Sequence, residues 1–351
     1  MKKLNSLLKL VSTAFLAVSL AACGSGGSDG GGQSAGSGSS AGKSDSAAGT
    51  VTIKLAHTGS EAHQYHIGAE LFKKEVEALS NNTIQVEIFA NAQLGNEKDA
   101  VEGIMNGTID MTTVAADSSL SNVVPEMNVF GIPFLFEDAE HVYSVLDGEV
   151  GKGLLQKAEE KGMKALGFWE VGFRNMTTKD KPIEKPEDLK GLKMRVQPAP
   201  VWQAFMESLG ANPTPVNFNE LYSALEQGVV DGQENPIATL MSMKFYEVQK
   251  QVAMTSHTYT PAAVLMSKKK YDSLSDEQKK WVEEAVQKAA QEQRKALADA
   301  EAKSLEELKA NGVNITNPDR AAFAEATKDV YKALSDKVPQ ELIDSIKAAA
   351  K

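Results

Sequence analysis

The sequence predicts an α/β protein, and three features carry that reading. The first segment after a low-complexity N-terminus runs strand, loop, helix, strand. Two later strands bring arginines to one region, Arg195 inside a short run and Arg174 just beyond another. A helical pattern of more than 30 residues opens near residue 275. Strand–helix–strand order from the outset marks a largely parallel sheet covered by helices. Roughly 300 residues follow the N-terminal part, a length that favours two lobes over one. So long a helix has the reach to lie across both.

Residues 1–22 read as a leader: Lys2, Lys3 and Lys9 precede an apolar core too short to span a bilayer, and Leu20-Ala21-Ala22-Cys23 follows. That tetrapeptide resembles a bacterial lipobox, with Cys23, the only cysteine, as the lipidated residue. The glycine- and serine-rich residues 24–49 bury no apolar surface and read as a flexible tether. The net charge is −10, and removing residues 1–22 takes away three lysines and no acid, leaving −13. Such a balance argues against nucleic acid or an anionic membrane face as partner, although local arginines can still draw a small anion. With no thiol left after lipidation, neither a disulfide framework nor a nucleophilic cysteine is available.

In order, Val51, Ile53 and Leu55 share one face of a first strand. The loop it feeds holds His57, Thr58, Ser60 and His63, with Tyr65 and His66 beyond it, at the carboxyl end where such sheets bind ligands. Ile67, Leu71, Phe72, Val76 and Leu79 form the stripe of the next helix. Strands follow over 84–89 and 109–115, with a helix at 100–105 between them that ends on Asn106-Gly107. A helix is predicted over 139–158, with His141 on its surface. In the strand over 163–171, adjacent Phe168 and Trp169 point to opposite faces, one to the core and the other free to line a cleft. Arg195 lies in an alternating run bracketed by Gly191 and by Pro198 and Pro200, which reads as a short strand holding a five-donor fork in place. A helix spans 199–209, and Phe218-Asn219 opens another. Asn235, before Pro236, is pushed from helical geometry so that its amide projects. Residues 245–252 read as helical and 259–266 as extended. Ser275 and Gln278 form a capping box before the long helix, which ends at Asn311-Gly312.

No zinc-type HExxH, GxSxG or Walker loop is present, and no GxGxxG follows a strand. His57, His63 and His66 lack an evident acid beyond Glu61 to complete a metal site and read as loop donors. Two arginines, a projecting asparagine and the aromatics Trp169 and Phe218 make an inventory for binding a small carboxylate in a closing cleft, with neither catalytic group nor cofactor.

Gln93-Leu94-Gly95, Gly172-Phe173-Arg174, the run from Asp188 to Val196 (DLKGLKMRV), Pro213-Thr214-Pro215, Phe218 and Asp231 to Pro236 (DGQENP) occur in an order and spacing that resemble the DctP-type solute-binding subunits of tripartite ATP-independent periplasmic (TRAP) transporters. The resemblance implies a two-lobed periplasmic binding protein fold with a long helix spanning both lobes. Residues 51–171 with 262–300 would form one lobe and 172–261 with 301–351 the other. It implies that Arg195 takes a substrate carboxylate in a bidentate pair, with Arg174, Asn235 and Phe218 beside it. It further implies a protein that delivers an organic acid to small and large membrane permease subunits; the lipobox anchors it by lipid outside the cytoplasm, and a monomer is expected. The aromatic run ahead of Arg174 looks most like members that bind hexuronates or related sugar acids. The hydroxyls of such a solute would fall to His57, Gln93, Glu97 or Glu170. The alternative, a C4-dicarboxylate or keto acid, needs a second positive anchor in the first lobe, where Lys73, Lys74 and Lys98 are poor candidates. A tethered structural lipoprotein is the reading of another class.

Overall fold

The computed structural model describes residues 50–350; Cys23, the leader and the tether lie outside them. In chain order the elements are β1 (Val51–Ala56), α1 (Gln64–Leu79), β2 (Ile84–Phe89), α2 (Glu97–Asn106), β3 (Met111–Ala115), α3 (Ala139–Asp147), α4 (Glu149–Glu159), β4 (Met163–Thr178), β5 (Lys193–Val196), α5 (Pro200–Ser208) and β6 (Asn212–Pro215). There follow α6 (Leu221–Glu226), β7 (Gly232–Pro236), α7 (Ile237–Ser242), β8 (Gln251–Ala253), β9 (Tyr259–Ser267), α8 (Lys268–Asp272), α9 (Asp276–Ala310), β10 (Asn314–Thr316), α10 (Arg320–Thr327) and α11 (Gln340–Ala348).

The strands lie in the order β2-β1-β3-β9-β4-β7-β5-β6, with β8 on β4 and β10 on β8. β1 is parallel to β2 and β3, as its helical crossovers require, and β9 runs antiparallel between β3 and β4. The long strand β4 joins two sheets. Its pairing with β9 ends at Phe173 opposite Tyr259, and its pairing with β7 begins at Arg174 opposite Pro236. Register shifts between Glu170 and Gly172, where Gly172 has φ +118°, a conformation that side chains rarely adopt. A bulge therefore sits where β4 changes its partner strand, immediately before Arg174.

Each sheet is covered on both faces. Phe72 and Val76 of α1 with Val286 and Ala289 of α9 cover Trp169, while Phe130, Phe136 and Phe168 lie in the core that Trp202 and Phe205 continue. Phe168 and Trp169 thus do take opposite faces, but both are core. Helix α1 comes so close to β4 that a Cβ at Gly68 would lie 2.5 Å from the Trp169 ring. The capping box at Ser275 and Gln278 starts α9, whose 35 residues extend ~52 Å. Val282 and Ala289 join the first lobe's core, and Leu308 joins the second, with Leu221, Leu240 and Phe245.

Three local expectations are corrected. The helix over 139–158 breaks at Gly148, where a Cβ would meet the Ser144 carbonyl oxygen at 2.4 Å. His141 is buried, its Nε2 bonded to the Ile346 carbonyl at 2.7 Å, because α11 covers that face. Residues 245–252 form a short 3-10 turn and then enter β8, since β10 supplies a strand partner distant in sequence.

Candidate functional site

A cavity opens where the two sheets meet, lined by His63, Tyr65, Glu97, Ser118, Ser119, Arg174, Arg195, Gln197, Phe218, Asn235 and Thr260 among others. Its walls are bridged. Ser60 Oγ donates to the Ser242 carbonyl at 2.9 Å, Gln64 Nε2 to Thr239 Oγ1 at 2.9 Å, and Asn122 Nδ2 to the Pro198 carbonyl at 2.8 Å. His63 meets Phe218 edge-on at 5.3 Å. The cleft is closed.

Arg195 points from β5 into this space. Its backbone is fixed by parallel pairing with β6, and its Nε donates to the Val216 carbonyl at 2.9 Å. Nη1 is buried without a partner. Burial, opposed by the attraction of Glu234, brings its pKa down to about 10, so the fork stays charged at neutral pH. A fixed, charged guanidinium lacking a counter-ion is a ready receptor for a carboxylate.

Arg174 is differently placed. Its Nε and Nη2 both bond the Glu234 carboxylate, Nη2 also reaches the Glu234 carbonyl at 2.7 Å, and Nη1 approaches Thr260 Oγ1 at 3.3 Å. His257 Nε2 contacts the same carboxylate at 3.3 Å. Glu234 is thus the internal counter-ion of Arg174, and sequence reading missed it. Facing strands bring the two together across 60 positions, and no periodicity signals such a pair.

On the other wall, Glu97 Oε1 accepts the Tyr65 hydroxyl at 2.9 Å and the Ala115 N–H at 3.4 Å. Burial raises its pKa, against those two bonds. Behind the wall Asp117 accepts from Thr260 Oγ1 at 2.7 Å, and burial raises its carboxyl to about 7. Asn235 donates to Gln233 Oε1 at 2.5 Å.

Of the residues singled out from sequence, Arg195, Arg174, Asn235, Phe218 and Glu97 come together at the cavity. The other four lie elsewhere. Trp169 donates its indole N–H to the Val286 carbonyl beneath α9. His57 pairs with His66 at 3.1 Å, and Gln93 is exposed. Glu170 accepts the hydroxyls of Tyr143 and Tyr259 at 2.6 and 3.2 Å in a separate hollow along α9. Among the described residues no cluster of three or more His, Cys, Asp or Glu has the geometry to hold a metal ion, and no helix is long and apolar enough to cross a membrane.

Two lobes closed over a cavity with an uncompensated arginine define a solute-binding protein. The profile described as bacterial extracellular solute-binding protein, family 7 (DctP), matches residues 55–337, and the chain belongs to that family, the solute-binding subunits of TRAP transporters. It is 35% identical over 298 residues to the 2,3-diketo-L-gulonate-binding periplasmic protein YiaO of Escherichia coli (strain K12), covering 85% of this chain and 90% of that one. It is 33% identical over 306 residues to the C4-dicarboxylate-binding periplasmic protein DctP of Rhodobacter capsulatus, covering 86% and 92%. A TRAP periplasmic solute-binding protein from Polaromonas sp. JS666, solved bound to D-erythronate, superposes with a TM-score of 0.83 at 37% identity, covering 86% of this chain and 99% of that one.

Proposed function

We propose that this protein captures a sugar acid, of the hexuronate kind, by its carboxylate and hands it to the small and large permease subunits of a TRAP transporter. The carrying observation is Arg195, buried in a closed cavity with Nη1 unpartnered while the neighbouring Arg174 already has Glu234. Asn235 and Phe218 complete the wall around the carboxylate, and Glu97 accepts from a solute hydroxyl. The likeness to a diketogulonate-binding and an erythronate-bound protein supports the same class. Trp169, His57, Gln93 and Glu170 need play no part in it. The lobes divide near 171/172 and 261/262, close to where β4 changes partner.

The alternative, a C4-dicarboxylate, has the Rhodobacter relative in its favour. Against it, the α1 and α2 side of the cavity presents Glu97 where a second carboxylate would need a cation, and Lys98 is exposed beside Glu102. A thermal-shift panel of uronates, aldonates, sialic acid and C4-dicarboxylates separates the two, because a solute that binds only the native state raises the melting temperature. A shift with a sugar acid is expected; a shift with succinate or malate alone moves the function to dicarboxylate uptake. We further place the protein on a lipid at Cys23. Labelling with palmitate is expected in the whole chain and lost in Cys23→Ala, and equal labelling of both removes the anchor.

A further inference from the structure

Apart from Arg195 Nη1, two cavity-lining side chains have buried atoms without partners: the Gln197 amide and His63 Nε2. Gln197 stands two residues from Arg195, just past the end of β5, and belongs to the same wall. His63 comes from the other lobe. It is the residue before α1, and its Nδ1 accepts the Tyr65 N–H at 3.1 Å, capping that helix. A ring nitrogen that accepts a main-chain N–H carries no proton, so the ring hydrogen sits on Nε2. Burial, reinforced by the charges nearby, brings the pKa of His63 down to about 3, so the ring is a neutral donor throughout the physiological range. The ring is held between Tyr65 at 4.6 Å and Phe218 at 5.3 Å, both edge-on, which fixes its direction. On the same side of the cavity Glu97 Oε1 is occupied by Tyr65 and Ala115, leaving Oε2 as the oxygen those bonds do not use.

We propose that His63 is a specificity-determining contact, whose Nε2–H donates to a solute oxygen while Glu97 accepts from a solute hydroxyl, so that the site selects hydroxy monocarboxylates over unsubstituted dicarboxylates. The proposal rests on the sugar-acid reading above. A hydroxyl is donor and acceptor at once and satisfies both residues, whereas a second carboxylate only accepts and offers Glu97 no proton.

Two substitutions separate the donor from the helix cap. His63→Ser keeps an oxygen able to cap α1 but is too short to reach the solute. His63→Gln places a nitrogen near the position of Nε2 and gives up the cap. Calorimetric titration of the wild type and both variants with D-galacturonate, D-erythronate and succinate, alongside their melting temperatures without solute, reads both roles. The expectation is that His63→Ser, which keeps the cap but loses the packing of the ring on Tyr65 and Phe218, still unfolds cooperatively, at a somewhat lower temperature, and binds the preferred sugar acid ~10-fold more weakly. His63→Gln should melt lower and hold its affinity within about threefold, because a lost cap destabilises the fold while the donor remains. If the wild type binds a sugar acid and His63→Ser binds it equally well, this inference falls and the sugar-acid reading stands. If the wild type prefers succinate to both sugar acids, or binds none of the three, the reading falls and this inference with it.

Discussion

Two arginines share one cavity and do opposite things to the fold. Arg174 is neutralised by Glu234, and although burial disfavours its charge, that carboxylate outweighs the cost and raises its pKa. Arg195 has the burial without the counter-ion. Removing a buried charge that has no partner relieves a desolvation cost, whereas removing one half of a buried pair creates such a cost. Arg195→Met is therefore expected to melt no lower than the wild type while losing at least ~100-fold in affinity for its acid, the scale of a charge-assisted bidentate contact. Glu234→Ala is expected to lose about 3–5 kcal/mol of stability, because Arg174 is left buried and unpaired. Scanning calorimetry with isothermal titration checks both. A destabilised Arg195→Met, or a Glu234→Ala as stable as the wild type, would reverse these assignments.

The elements explain why those residues meet, and which of them sequence could show. Helix α9 announces itself by its capping box, and its two ends join two cores. The short strand carrying Arg195 is equally plain, since turn formers fence it on both sides. What joins α9 to the crossing strand is not plain. Gln293, fully buried, accepts the Glu170 N–H at 2.7 Å and donates to the Gln64 carbonyl at 2.7 Å and the Glu170 carbonyl at 3.2 Å. A glutamine on a charged helix reads as one more solvated residue, because its acceptors lie on segments more than 100 positions away. Trp169 misled for a related reason. Alternation along β4 gives the face a side chain takes, but not what covers that face, and here α9 and α1 do. His63 was visible as a residue of the first loop. Its cap went unread because histidine is not among the residues that usually cap helices, and its tautomer depends on a backbone N–H.

At the scale of the whole molecule these buried groups set how stability responds to pH. His57 and His63, with pKa values depressed by burial to about 4 and about 3, stay neutral in the folded protein while the unfolded chain takes up protons near pH 6.5. Their contribution is present above about pH 6.5 and is lost as the pH falls. Asp117 acts the other way. Burial raises its carboxyl to about 7, Thr260 and Arg174 pull it down, and Glu234 and Glu97 push it up. Between about pH 4 and 7 the folded protein keeps a proton that the unfolded chain releases, so this term weakens stability as the pH rises and is constant above about 7. The two trends overlap, and the wild-type profile alone will not resolve them. Asp117→Asn removes one of them and preserves an oxygen for the Thr260 hydroxyl. The variant is expected to gain stability relative to the wild type steadily from pH 4.5 to 7, by a few kcal/mol in all, and to hold that margin at pH 8. Urea unfolding at four pH values measures the difference directly. A margin that stays flat across the range would mean that Asp117 is ionised in the folded protein throughout, and that the Arg174 charge overcomes its burial.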